Sequence, residues 1–128
     1  MPRYSNARGR RVPELGNKYF RSKMEANIAR MLQHWKDEGH IKEWEYEPQT
    51  FVFTGIKNGA VCYKPDFRIT ELGGDQYWLE VKGRETSRDR TKWKRMAAQY
   101  PEEYLVVCGP TMYEAYREQW AGRVPGWE

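Results

Sequence analysis

Residues 63–83 read YKPDFRITELGGDQYWLEVKG, and their pattern predicts the central hairpin of the fold. Apolar and polar side chains alternate on both sides of the glycines at 73–74, which is the pattern of two half-buried strands joined by a turn. Because a strand repeats its direction every second residue, Glu80 and Lys82 share one face of the second strand. In such a hairpin Asp66 and Glu80 can approach each other across the ladder. The sequence therefore predicts two carboxylates and one ammonium group close together.

Helical spacing of apolar residues predicts three helices around this hairpin. The SKME stretch at 22–25 has the spacing of a capping box and begins the first helix. Glycine and proline mark the ends of the first and second helices. The predicted limits, in chain order, are Ser22 to Gly39, Ser87 or Asp89 to Pro101, and Thr111 to about Trp120.

Alternation in residues 41–69 predicts strands before the hairpin, and the Asn58-Gly59 pair favours a type I′ turn that joins two of them. The short apolar run at 104–108 is typical of a strand that is buried on both faces. The predicted order of elements is α-β-β-β-α-β-α. This order indicates an α/β fold with a mixed central β-sheet flanked by helices.

The length of 128 residues fits a single domain. Residues 1–16 contain prolines and glycines and lack apolar periodicity, so they are predicted to form a flexible basic arm. The folded domain is then expected at 17–128. No apolar run is long enough to span a membrane or to serve as a signal peptide. We therefore expect a cytoplasmic protein without a membrane partner.

The net charge of +4 is concentrated in residues 1–16 and 82–95, while the remainder of the chain is slightly acidic. Such concentrated positive charge favours a polyanionic partner. The alternative is that the second cluster is the solvated face of a helix. The candidate nucleic-acid-binding residues are Arg84, Arg88, Arg90, Lys92, Lys94, Lys64, Arg10 and Arg11.

The carboxylates of Asp66 and Glu80 suggest metal chemistry, because Mg²⁺ and Mn²⁺ prefer oxygen ligands and the sequence holds no zinc-type ligand set. A bound divalent ion can activate water and neutralise charge that develops on a phosphodiester. Lys82 can steady the attacking water or the phosphate oxygens. Glu25 lies on the flank of the first predicted helix and can add a third carboxylate to the same cluster.

Two structural alternatives stay open for these residues. Asp66, Glu80 and Lys82 can form an ordinary charge cluster on a solvated sheet face. Glu25 occupies the last position of the predicted capping box, where its carboxylate can bond the backbone N–H of Ser22. A capping role would explain the glutamate without any metal.

The motif of Pro65-Asp66, thirteen intervening residues and then the EVK triplet at 80–82 resembles the signature of the PD-(D/E)XK nucleases. A wider set of segments, spanning about residues 18–108, is similar to a group of small phage-encoded endonucleases. These segments are YFRSKME at 19–25, IKEWEYEP at 41–48, YKPDF at 63–67 and WLEVKG at 78–83.

The resemblance implies a restriction-endonuclease-like core and a site for Mg²⁺ or Mn²⁺. It assigns the metal to Asp66, Glu80, Glu25 and the backbone carbonyl of Val81, and it gives Lys82 a catalytic role. It implies duplex or branched DNA as substrate, action in phage DNA processing, and the host cytoplasm as location. A homodimer would suit paired incisions.

Three functions follow from this reading. The first is a divalent-metal-dependent endonuclease that hydrolyses DNA phosphodiester bonds by nicking or by recognising branched structures. The second is a nucleic-acid-binding module that keeps the fold without catalysis. The third is the nuclease subunit of a transposase-like or packaging assembly, in which partner proteins supply specificity.

Overall fold

A computed structural model of the chain describes residues 9–128. The strands are β1 (Arg10–Val12), β2 (Lys18–Phe20), β3 (Glu43–Tyr46), β4 (Phe51–Val52), β5 (Cys62–Tyr63), β6 (Phe67–Thr70), β7 (Gln76–Val81) and β8 (Leu105–Cys108). The helices are α1 (Lys23–Asp37), α2 (Ser87–Gln99) and α3 (Pro110–Trp120). The predicted mixed α/β architecture with three helices is confirmed.

The central sheet has four strands in the order β3-β6-β7-β8. Strands β3, β6 and β7 are antiparallel neighbours, and α2 carries the chain to β8, which lies parallel to β7. The predicted β6-β7 hairpin is therefore present, with Phe67 opposite Leu79. Its turn contains Gly74 at φ 99°, a left-handed conformation that favours glycine.

The larger apolar core lies between the sheet and helix α1. Phe67, which is fully buried, stands at its centre and contacts the rings of Phe20, Trp44 and Tyr46 at centroid distances of 6.4, 6.0 and 5.3 Å. Tyr113 of α3 belongs to the same core. These aromatic rings join β2, β3 and β6, and the buried side chains of Ile28 and Leu32 bring α1 into the same core.

A smaller apolar core covers the other face of the sheet. It comprises Phe51, Phe53, Tyr63, Trp78 and Met96, and it joins the β4-β5 hairpin to α2. The predicted hairpin is present, since β4 and β5 pair in antiparallel fashion on either side of Asn58-Gly59. The predicted type I′ turn is wrong, because Gly59 has a positive φ of 62° but Asn58 does not have the positive φ that such a turn requires. This hairpin forms a sheet of two strands separate from the central one.

Helix α1 begins as predicted, because the Ser22 hydroxyl accepts a hydrogen bond of 3.1 Å from the Glu25 backbone N–H. Helix α2 differs from the prediction. Its cap is Thr86, whose hydroxyl accepts from the Asp89 N–H while the Asp89 carboxylate accepts from the Thr86 N–H. Helix α3 has Gly109 as its N-cap and Pro110 in its first turn.

Among residues 9–128, none of the helices has the length and apolar character that a membrane span requires.

The prediction of a flexible arm is wrong for residues 10–15. Residues 10–12 pair with β2 as strand β1, and a short 3-10 helix at 13–15 connects the two strands. Val12 is completely buried against the larger core. A strand of three residues with one inward side chain is too short to show periodicity. Residues 1–8 of the predicted arm lie outside the described residues.

The alternation at 61–69 does not form one strand. Strand β5 ends at Tyr63 and β6 begins at Phe67, so the connecting stretch Lys64-Pro65-Asp66 belongs to neither. Pro65 has no N–H to contribute to a ladder, which favours the break at this point. The interruption separates the two sheets and leaves Asp66 at their junction.

We expect Phe67→Ala to lower the free energy of unfolding by about 3–5 kcal/mol, because it opens a cavity beneath three aromatic rings. Urea unfolding followed by circular dichroism measures the change. Leu72→Ala is the matched control, since Leu72 is exposed and its loss should cost less than about 0.5 kcal/mol. Equal losses for the two variants would contradict the position of Phe67 in the core.

Candidate functional site

An open cleft of about 370 Å³ lies where β7 ends and the chain enters β6. It brings together the predicted residues Glu25, Asp66, Glu80 and Lys82. The complete lining is Arg21, Glu25, Cys62, Tyr63, Lys64, Asp66, Glu80, Val81, Lys82 and Lys92. A larger groove of about 690 Å³ runs along β3 and shares none of these side chains.

Asp66 and Glu80 are joined by backbone hydrogen bonds at the end of the hairpin. The Asp66 N–H donates to Glu80 Oε1 at 3.1 Å, and the Val81 N–H donates to Asp66 Oδ2 at 2.7 Å. Asp66 is 3% exposed and Glu80 is 6% exposed. The β6-β7 register places the two carboxylates side by side, as the alternation of the sequence predicts.

Glu25 projects from the first turn of α1 toward the same carboxylates. Its side chain accepts a hydrogen bond from the Tyr46 hydroxyl, and its Oε1 lies 4.0 Å from Arg21 Nε. The backbone N–H of Glu25, and not its carboxylate, takes part in the bond with Ser22. The carboxylate is therefore directed into the cleft instead of completing a capping box.

Burial sets the electrostatics of these three acids. It raises the pKa of Asp66 well above the usual range, and the nearby Glu80 and Glu25 carboxylates raise it further. Burial also raises the pKa of Glu80, against the opposing effect of Lys82, and that of Glu25, against the hydrogen bond from Tyr46. Burial and mutual repulsion thus disfavour the charged forms of these acids, and a further cation placed among them would favour the charged forms.

Lys82 reaches the cleft with a partner that sequence reasoning missed. Its Nζ lies 3.1 Å from Asp89 Oδ1, and Asp89 Oδ2 accepts from the N–H and hydroxyl of Thr86. Asp89 therefore links the start of α2 to the lysine. The Thr86-x-x-Asp89 spacing is the sequence feature that predicts this contact, because a capping box at this point directs the Asp89 side chain back toward the end of β7.

Arg21 and Glu47 are also part of the site, although neither was singled out in the sequence. The Arg21 guanidinium forms an ion pair with Glu47, and its Nη2 lies 3.4 Å from Asp66 Oδ1. The backbone N–H of Glu47 donates to the Asp66 carbonyl at 2.7 Å, and Glu47 has a left-handed φ of 48°. No local sequence pattern marks Glu47, because its position depends on how the end of β3 packs against Asp66.

Within residues 9–128, no group of three or more His, Cys, Asp or Glu side chains is arranged to hold a metal ion. Two of the carboxylates direct one oxygen each toward a backbone N–H. The Arg21 guanidinium lies among the remaining oxygens. The acids are thus neighbours without forming a closed ligand cage.

The predicted nucleic-acid-binding residues fall into two groups. Lys64 and Lys92 line the cleft, and four residues near or on α2 are exposed, namely Arg84, Arg88, Arg90 and Lys94. Arg10 and Arg11 instead lie on the β1-β2 hairpin, where Arg10 pairs with Glu128 and Arg11 donates to the Asn17 carbonyl. These two arginines do not line the cleft.

Residues 5–115 match a family described as "Protein of unknown function (DUF1064)". The chain belongs to this family. The DUF1064 region contains every residue that lines the cleft, together with Asp89 and Glu47. No curated protein and no solved structure is significantly similar to the chain.

The alternative roles of Glu25 can be separated by comparing Ser22→Ala with Glu25→Gln in EDTA. Ser22→Ala removes the acceptor for the Glu25 N–H and should lower the free energy of unfolding by about 1 kcal/mol. Glu25→Gln keeps that backbone bond and removes a buried charge beside Asp66, so its stability should equal or exceed that of the unmodified protein. Urea unfolding measures both, and a matching loss in the two variants would assign the carboxylate to capping.

Asp66→Asn should stabilise the metal-free protein, and the gain should depend on pH. The pKa of Asp66 is raised in the folded state, so the protonated acid is compatible with the fold at low pH. As the pH rises through the folded-state pKa, the acid ionises and the free energy of unfolding falls. The amide cannot ionise, so the Tm difference in EDTA should be near zero at about pH 4 and positive at about pH 8. A difference that shrinks with rising pH would contradict the raised pKa.

Proposed function

We propose that this protein is a divalent-metal-dependent endonuclease of the PD-(D/E)XK superfamily that hydrolyses DNA phosphodiester bonds. The observation that carries the proposal is the meeting of Asp66, Glu80 and Glu25 with Lys82 in one cleft. The order α1-β3-β6-β7-α2-β8-α3 supports a restriction-endonuclease-like core. DNA processing during phage growth is the proposed setting, in the host cytoplasm.

The residues of the cleft fit a hard divalent ion such as Mg²⁺ or Mn²⁺. Asp66, Glu80 and Glu25 offer carboxylate oxygens that are buried and incompletely neutralised, and the Val81 carbonyl is the proposed backbone ligand. When bound, the ion would polarise the phosphodiester and lower the pKa of a water molecule. The shape of the cleft leaves one side open for substrate and water.

Lys82 and Asp89 have separate proposed roles in hydrolysis. Water adds to phosphorus as one P–O ester bond breaks, and the leaving oxygen takes up a proton, so negative charge accumulates on the phosphate oxygens during the step. Lys82, held at 3.1 Å by Asp89, is proposed to stabilise that charge or to orient the water. Asp89 would act as a positioning residue, since it restricts the rotation of the lysine.

The basic side chains around the cleft support DNA as the substrate. Lys64 and Lys92 lie in the cleft itself, and the exposed arginines at 84, 88 and 90 extend the positive surface along the start of α2. Contacts of this kind bind phosphates without reading base sequence. The surface therefore favours recognition of backbone geometry, as in duplex or branched DNA, and a homodimer would suit paired cuts.

The alternative is a non-catalytic nucleic-acid-binding module. It is favoured by one observation, namely that the described residues hold no ready-made group of three metal-binding side chains. The presence of all three carboxylates and the lysine in one cleft favours the enzyme.

Cleavage assays test the proposal directly. We expect nicking or cutting of supercoiled plasmid, linear duplex or a four-way junction in Mg²⁺ or Mn²⁺, with complete loss in EDTA. Lys82→Ala should reduce the rate by about a hundredfold or more, because charge on the phosphate loses its cation. Lys42→Ala is the matched control, since Lys42 is exposed and does not line the cleft.

Two results would contradict the proposed metal-dependent mechanism with Lys82. One is cleavage that EDTA does not affect, and the other is equal cleavage by Lys82→Ala and the unmodified protein. Binding of the four-way junction in a gel-shift assay, without cleavage under any metal condition, would support the binding module.

A further inference from the structure

Arg21 occupies an unusual position for an arginine in a cleft of acids. Its guanidinium pairs with Glu47, lies 3.4 Å from Asp66 Oδ1, and approaches Glu25 Oε1 to 4.0 Å. The side chain is nevertheless 57% exposed, because Arg21 precedes α1 and reaches across the mouth of the cleft. One exposed cation thus lies close to three acids that are far apart in the sequence.

The oxygen that faces Arg21 is the one that a metal ion would need. Asp66 Oδ2 is engaged by the Val81 N–H, so Oδ1 is the oxygen directed at the cleft, and Arg21 Nη2 lies beside it. A magnesium ion requires contact at about 2.0–2.1 Å with its carboxylate ligands. Because like charges at such separations repel strongly in a partly buried site, the guanidinium and a divalent ion cannot both keep these positions.

We propose that Arg21 is the internal counter-cation of the metal-free site, and that a divalent ion must displace it from Asp66 and Glu25. This inference rests on the proposed metal-dependent function. Glu47 provides the pivot, since its backbone is fixed by the bond to the Asp66 carbonyl while its carboxylate retains the guanidinium. The arginine can then turn outward without leaving its partner.

The displaced guanidinium has an obvious alternative anion in a DNA phosphate. Lys64 and Lys92 line the same cleft and attract phosphate to it. A guanidinium binds phosphate through two parallel hydrogen bonds, so DNA in the cleft favours the outward position of Arg21. By thermodynamic linkage, DNA binding then raises metal affinity, and Arg21 couples metal loading to the presence of substrate.

Direct metal binding tests the first step without any cleavage. Free Mn²⁺ is measured by electron paramagnetic resonance during titration of the full chain, for the unmodified protein and for Arg21→Gln, Asp66→Asn and Arg117→Gln. Arg21→Gln should bind Mn²⁺ about tenfold more tightly, because the competing cation is gone. Arg117→Gln changes the net charge equally at a site on α3 and should leave the affinity unchanged. Asp66→Asn should abolish binding.

The possible failures are distinguishable. If neither the unmodified protein nor Arg21→Gln binds Mn²⁺, the proposed metal site is wrong and the inference falls with it. If the unmodified protein binds Mn²⁺ and Arg21→Gln binds equally or more weakly, Arg21 is not a competitor, while the proposed enzyme stands. Tighter binding by Arg21→Gln and Arg117→Gln alike would assign the effect to net charge and overturn the inference.

The coupling to DNA is tested in a Lys82→Ala background, where cleavage is suppressed. A DNA duplex should raise the Mn²⁺ affinity of Lys82→Ala by about tenfold, after subtraction of the Mn²⁺ held by duplex alone. In Lys82→Ala combined with Arg21→Gln the increase should be several-fold smaller, since only direct contacts between phosphate and metal remain. An equal increase in both proteins would overturn the coupling.

Discussion

The structure depends on the pair of hydrogen bonds that tie Asp66 to the end of β7. One runs from the Asp66 N–H to Glu80 and the other from the Val81 N–H to Asp66, so each acid is held by the backbone of the other strand. Such charge-assisted bonds are strong and directional. They fix the point at which the chain passes from the small sheet into the central one. They also keep two acids together that would otherwise repel.

Much of this arrangement could be predicted from the sequence, because local rules govern it. Period-two alternation around the glycines at 73–74 located the β6-β7 hairpin and brought Asp66 to Glu80. Helical spacing after Ser22 set the direction of Glu25. The remaining features depend on tertiary contacts. Val12 lies in a strand too short to show a pattern, and Glu47 contacts Asp66 and Arg21 only because β3 pairs with β6.

The site combines strongly buried acids with a cation that is largely exposed. Glu25 on α1, Glu80 on β7 and Asp66 in the link between β5 and β6 are buried, and each has a pKa raised by that burial. Arg21, in contrast, is largely exposed and contacts the acids from outside. Under the proposed function, the side chain that compensates these acids is also the one that a divalent ion would displace. Lys82 is different, because its partner Asp89 belongs to a helix cap and not to the acid cluster.

The apolar interior is divided into two clusters, and this division bears on local unfolding around the cleft. The smaller cluster holds the β4-β5 hairpin against α2 and includes Tyr63, which borders the cleft, whereas the larger one contains the sheet and α1. Local opening in proteins follows such packing units, and smaller units open at lower free energy. The cleft thus has one wall in the larger cluster and one wall in the smaller cluster, which is expected to open at lower free energy. Local unfolding of the smaller cluster would therefore alter the outline of the cleft without disturbing the packing of α1 behind Glu25.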